Sequence, residues 1–351
     1  MKELVIGNLI AKVPVIQGGM GIGISRSSLA SAVSNAGGIG IISGVNIGYD
    51  EDDFENSTLE ANLRALKKHL KIAKEKSNNG IIGVNLMVAM NYYEEHVKTA
   101  IESGCDLIIS GAGLPLHLPK LVKNSTTKIA PIVSSSKAAQ VILKMWDKKD
   151  KTTADLIIVE GPKAGGHLGF SNDELDDIKS INYDDEFIKI LDITKKYEEK
   201  YNKKIPVIAA GGISSGLDVK KYLNLGASGV QVGTRFVATH ECDAHDNFKQ
   251  TYINAKEEDI KIVKSPVGLP GRAIKNKFID KVLCSRPKIT KCYNCLVPCN
   301  PKDTPYCIST ALINAVKGNV DDALLFCGAD AYKIKELKSV KEVMDELTCE
   351  I

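Results

Sequence analysis

Two stretches decide the fold: Pro206-Val207-Ile208-Ala209-Ala210-Gly211-Gly212-Ile213-Ser214-Ser215-Gly216 and, a short helix later, Gly229-Val230-Gln231-Val232-Gly233-Thr234-Arg235-Phe236. Each opens as a nearly unbroken apolar run and ends in glycine. Runs of that kind belong to strands buried on both faces, as in a parallel sheet covered by helices. The segment between them, Ser214–Leu225, has helical patterning and stops at Gly226, where a left-handed residue ends a helix at least cost.

Working outward, the same unit recurs. Strands are expected at 13–17, 38–43, 81–87, 106–111, 129–134 and 155–160, in addition to 206–210 and 229–233. Helices are expected at 27–35, 59–76, 92–103, 137–148 and 185–201, as well as 214–225. Eight strand–helix repeats over about 250 residues favour a closed (β/α)8 TIM barrel within the α/β class. On alternation alone an open doubly wound sheet remains the alternative. Beyond residue 255 the rhythm breaks. Residues 262–310 are rich in Pro, Gly, Lys and Cys, and two short helices follow at 309–317 and 339–347, the second opened by a capping-box pair, Ser339 and Glu342. The reading is therefore a barrel over 1–255 and a C-terminal extension over 256–351 packed on it.

The chain has 46 basic and 43 acidic side chains and a net charge of +3, a balance that does not point to nucleic-acid binding. No apolar run reaches bilayer length, and the N-terminus lacks a signal-peptide core. Nine cysteines are not spaced as a disulfide framework, so a cytoplasmic protein is expected. The exposed extension offers a surface for a homodimer.

In a (β/α)8 barrel the reactive face is built from the loops after the strands. Those after strands 7 and 8 hold Gly211, Gly212, Gly233 and Thr234. Glycine lets backbone N–H groups approach an anion, and a helix start favours negative charge. A phosphate monoester is the expected occupant, although the same glycines also serve tight turns. After strand 6 comes Gly165-Gly166-His167-Leu168-Gly169. Neighbours without side chains leave the imidazole of His167 open to whatever occupies the rim, and its titration range suits proton transfer.

In order and spacing, PVIQGGMGIGIS (14–25), GVNLM (83–87), EGPKAGGHLGF (160–170), PVIAAGGI (206–213) and GVQVGTRF (229–236) resemble the nitronate monooxygenase (2-nitropropane dioxygenase-like) family, which is related to the flavin-containing enoyl-acyl-carrier-protein reductases. The resemblance covers residues 1–255 and implies an FMN-binding TIM barrel oxidoreductase. It implies that Gln17, Gly19 and Met20 face the flavin ring with Asn85 at its polar edge. It places Ser134 and Gly166 beside the ring, and Gly211, Gly212, Gly233 and Thr234 around the phosphate. His167 matches the family's catalytic histidine. The implied reaction takes a small-molecule nitronate and O2 to a carbonyl compound and nitrite. An NAD(P)H-dependent reduction of an enoyl thioester is the alternative, and a barrel that binds FMN or another phosphometabolite without turnover is the second.

Cys292, Cys295, Cys299 and Cys307 depart from that resemblance. Their crowding has ligand-like spacing, suited to zinc or an iron–sulfur cluster. The plainer reading is four reduced cysteines packed in the extension.

Overall fold

The computed structural model describes residues 2–351. Eight strands, β1 (Val15–Gln17), β2 (Gly40–Ser43), β3 (Ile82–Met87), β4 (Leu107–Gly111), β5 (Lys128–Val133), β6 (Ile157–Glu160), β7 (Val207–Ala210) and β8 (Gly229–Val232), form one parallel sheet. Its ends meet: β8 pairs with β1, and Ile39 bridges β1 through Ile39 N–H to Val15 O at 3.0 Å and Gln17 N–H to Ile39 O at 2.9 Å. The sheet is an α/β TIM barrel. All eight expected strands form, each within two or three residues of its expected ends.

Inward-facing Ile16, Ile41, Leu107, Ile109, Ala130, Ile158, Ile208 and Ala210 fill the barrel interior. An antiparallel hairpin, Leu4–Ile6 with Leu9–Ala11, adds Leu4, Ile6 and Ala11 to that cluster. The opposite, C-terminal mouth is thus the one left open for chemistry.

Around the strands lie α1 (Ser27–Asn35), α2 (Thr58–Lys76), α3 (Tyr93–Glu102), α4 (Leu118–Val122), α5 (Ser136–Asp150), α6 (Tyr183–Tyr201), α7 (Gly216–Leu225) and the four-residue α8 (Thr234–Val237). In α2, Ala61, Ala65, Leu66, Leu70 and Ala73 make the buried stripe, the spacing that turns one helix face inward. α1 lies so close to the sheet that a Cβ at Gly40 would sit 1.9 Å from Ala30 O.

α8 is too short to cover the sheet between α7 and α1. That role falls to the helix Val340–Thr348, α9, which packs on α1, α7 and α8. Val340, Val343, Met344 and Leu347, at helical spacing, join the main core of the barrel. Ser339 and Glu342 form the expected capping box. The C-terminal segment is therefore not simply laid on a finished barrel; it supplies the helix that completes the ring. Residues 238–339 then form an insertion over the C-terminal rim, built from the helices Asp246–Asn254, Lys277–Cys284 and Ile308–Val316 and the strands Ile260–Lys264 and Pro270–Ile274. The insertion is tied down by Asp243, whose carboxylate accepts from the N–H groups of Arg26, Ser28 and Leu29 at the start of α1.

Leu347 is fully buried, so Leu347→Ala is expected to lower unfolding stability by about 2–5 kcal/mol. Urea denaturation checks this; a loss below 1 kcal/mol would mean that α9 does not complete the core.

Candidate active site

One cavity of about 480 Å³ opens at the C-terminal mouth, within the range usual for small-ligand sites. The barrel contributes Gly19, Met20, Asn85, Ser134, Glu160, Gly166, His167, Gly211, Gly212, Gln231, Gly233 and Thr234 to its wall. The insertion contributes an apolar side, with Val267, Leu269, Leu296, Leu312, Leu324 and Phe326.

The glycines at one end are required by geometry. Gly211 and Gly212 have φ of +89° and +75°, where a side chain is strained. A Cβ on Gly212 would also lie 2.8 Å from Lys163 Cβ. The turn and loop hydrogen bonds give the N–H groups of Gly211, Gly212 and Thr234 no backbone acceptor among the described residues. The start of α7 is not free in the same way. Asp218 caps it, accepting from the N–H and hydroxyl groups of Ser214 and Ser215. The donors left for an anion are thus the glycine amides and the start of α8.

The insertion is laced to these loops. Gly328 N–H donates to Thr234 Oγ1 at 2.9 Å, Ala329 N–H donates to Lys163 O at 3.1 Å, and Arg272 donates to Ala164 O. A Cβ on Gly165 would come within 2.5 Å of the Cys327 backbone. That contact is a reason for glycine which the sequence alone does not reveal.

His167 lies on a two-residue strand, Gly166–His167, paired antiparallel with Gly271 and Arg272 of the insertion. Its ring meets Phe326 edge-on, with centroids 4.9 Å apart, and its Nε2 is 2.7 Å from Ser265 Oγ. Burial pushes the imidazole down to about 4, so it is uncharged at neutral pH. Glu160, at the end of β6, is pushed by burial up to about 8, with the Arg272 guanidinium opposing. At pH 7 it is mainly a protonated acid, a hydrogen-bond donor. Gln231 Oε1 is buried without a partner, which leaves an acceptor at the cavity wall.

Of the residues proposed from sequence, His167, Gly19, Met20, Asn85, Ser134, Gly166, Gly211, Gly212, Gly233 and Thr234 all line this cavity. Gln17 does not. It is fully buried behind the wall, its Oε1 accepting from Ile41 N–H at 2.9 Å and its Nε2 donating to Ser25 Oγ and Gly18 O. Gly19 is required first by Asn85, whose Cβ would be 2.4 Å from a Cβ at position 19.

The cysteine reading also changes. Cys292 is exposed and Cys295, Cys299 and Cys307 are half-buried. Among the described residues no three His, Cys, Asp or Glu side chains converge as metal ligands would. Neither zinc nor an iron–sulfur cluster has a preformed site there. Cys295 instead lines the cavity, and burial pushes its thiol up to about 11. Glu160, Gln231, Ser265 and Phe326 were not proposed from sequence: nothing in local pattern says that Ser265 and Phe326 of the insertion will cover the rim, or that the polar side chains of Glu160 on β6 and Gln231 on β8 will face the cavity.

A barrel with a glycine-lined anion end, polar groups on its wall and a neutral histidine beside them has the framework of a flavin-dependent oxidoreductase. A family model described as nitronate monooxygenase matches residues 2–350, and the chain belongs to that family. A probable nitronate monooxygenase of Staphylococcus saprophyticus is 27% identical over 300 residues, spanning 79% of this chain and 80% of that protein. FabK from Thermotoga maritima superposes with a TM-score of 0.74 at 27% identity, covering 97% of this chain and 93% of that one. A nitroalkane oxidase from Streptomyces ansochromogenes gives 0.72 at 18% identity, covering 97% and 95%; that likeness is one of fold alone.

The residues present fit FMN. Gly211 and Gly212 turn through left-handed conformations where a Cβ would clash with Gly161, Lys163 and Ala164, leaving their amides for a phosphate, and Gln231 Oε1, unpartnered among the described residues, would offer an acceptor to a ring N–H. Gly212→Ala is expected to weaken FMN retention about tenfold, from about 1–2 kcal/mol for the left-handed conformation; flavin absorbance after gel filtration checks it.

The raised Glu160 carboxyl makes stability depend on pH. Folded protein holds a proton that the unfolded chain releases above 4.5. This contribution is full below pH 4.5 and is lost as pH rises through about 8. Glu160→Gln should therefore flatten the wild-type decline between pH 5 and 8. Melting curves across that window test it, and parallel wild-type and variant profiles would contradict it.

Proposed function

We propose that this chain oxidises alkyl nitronates with O2, giving the carbonyl compound and nitrite, at FMN held in the rim cavity. The observation that carries the reading is a neutral His167 on the wall of the glycine-lined cavity, in a chain that matches the nitronate monooxygenase family over residues 2–350. When bound, FMN supplies the electron transfer that no side chain here can perform.

The protein's part is placement. Gly211, Gly212, Gly233 and Thr234 would hold the phosphate, and Gly19, Met20, Asn85, Ser134 and Gly166 would border the ring. His167 would hydrogen-bond the substrate's nitro oxygens, and the apolar wall of the insertion would receive its alkyl group and exclude water. An uncharged imidazole suits this task, because it can hydrogen-bond an anion without first exchanging a proton with solvent.

Reduction of an enoyl thioester by NAD(P)H is the second reading. The row of Val267, Leu269, Leu296, Leu312 and Leu324 along the cavity favours it, by offering an acyl chain an apolar path.

Anaerobic mixing separates the two. Bleaching of the flavin by an alkyl nitronate but not by NADH or NADPH is expected; rapid bleaching by a nicotinamide alone would move the enzyme to the reductases. His167→Ala should keep its flavin spectrum and lose about 10²-fold or more in turnover.

A further inference from the structure

Ser265 sits in the insertion, 98 residues from His167 in sequence, and is only 3% exposed. Its Oγ has two neighbours. The backbone N–H of Val267 donates to it at 3.3 Å, and His167 Nε2 lies 2.7 Å away. An amide can only donate, so this bond uses a lone pair of the hydroxyl and leaves its hydrogen to be placed. Oγ makes no other hydrogen bond among the described residues. If Nε2 carried a proton and donated as well, the buried hydroxyl hydrogen would have no acceptor. The arrangement that satisfies every group has Ser265 Oγ–H donating to an unprotonated Nε2. In a neutral ring the proton then resides on Nδ1.

Among the described residues His167 Nδ1 has no hydrogen-bond partner, and it is not one of the buried side-chain atoms that lack one. It is therefore accessible, on a residue that lines the cavity. The face offered to a ligand is an N–H donor, while the ring's lone pair is turned away and occupied. The packing reinforces this choice. The ladder to Gly271 fixes the histidine backbone and the Phe326 ring packs edge-on against the imidazole, and turning the ring over would take Nε2 away from Ser265 Oγ.

We infer that Ser265 is a positioning residue for His167, fixing it as the neutral Nδ1–H tautomer, so that the histidine presents a hydrogen-bond donor to the cavity and not a base. Resting on the proposed nitronate reading, this narrows the substrate. The enzyme takes the preformed nitronate anion, whose oxygens accept from Nδ1–H, and does not remove the α-proton of a neutral nitroalkane.

The tautomer can be read directly. Protein loaded with FMN and labelled with ¹⁵N-histidine is examined by long-range ¹H–¹⁵N NMR at pH 7, with His167 identified by the signal missing from His167→Gln. A pyrrole-type Nδ1 and pyridine-type Nε2 are expected in the wild type and in Ser265→Thr, which keeps the hydroxyl. Ser265→Ala should shift the ring toward Nε2–H and lower kcat/KM for an alkyl nitronate about tenfold. If Ser265→Ala fails to fold, Ser265→Cys, nearly isosteric and a weak donor, takes its place. A protonated Nε2 in the wild type, or a tautomer unchanged by loss of the hydroxyl, overturns the proposal. Neutral nitroethane should react far more slowly than its anion, and comparable rates would overturn the donor role. Should neither compound react while the NMR result stands, the nitronate reading fails and the Ser265–His167 assignment survives.

Discussion

The ladder joining Gly166 and His167 to Arg272 and Gly271 holds the rim together. On its own the loop after β6 is glycine-rich and conformationally free. Paired to the strand Pro270–Ile274, which in turn pairs with Ile260–Lys264, it becomes the edge of a three-stranded sheet. The histidine's position is then set by backbone hydrogen bonds, and the apolar wall, Ser265 and Phe326 all arrive with the same sheet. Site geometry and insertion structure are in this sense one object.

The barrel was legible because its signal is local. Ile41-Ile42, Leu107-Ile108-Ile109 and Ile157-Ile158-Val159 are buried on both faces, and continuous apolar runs announce that. The glycines after β7 were legible for the same reason, since the left-handed turn at Gly211 and Gly212 needs glycine wherever the chain places it. Gln17 misled because a polar residue at the end of a strand can point into the cavity or back into the wall. Here its amide finds Ile41 N–H and Ser25 Oγ in the wall. The cysteine spacing gives reach along the chain, and the fold brings Cys292, Cys299 and Cys307 near Cys295 without a preformed ligand geometry among the described residues. Ser265 was invisible, as any serine is until the imidazole it meets has been placed.

Two ionisable groups, Glu160 on the cavity wall and Arg272 buried behind it, give the cavity its electrical character. Glu160 is held largely protonated at pH 7, and Arg272, buried with its second guanidinium nitrogen unpartnered, lies close enough to oppose that shift. Together with a neutral His167, they leave a site with several oriented donors and little mobile charge at its centre. Such a site stabilises an anionic ligand through fixed dipoles, which need no reorganisation when charge moves.

The late arrival of α9 has a consequence for synthesis. The helix that fills the gap between α7 and α1 begins only at Val340, so α1 waits through more than 300 residues of translation for its neighbour. Contacts of such long sequence separation make for slow closure. Until then α1 and α7 expose the apolar faces that Met344 and Leu347 later cover, and a ribosome-bound chain would be a natural client for chaperones. The rim insertion ends at residue 339, immediately before α9, so the catalytic mouth and the ring beneath it are completed by adjoining stretches of chain.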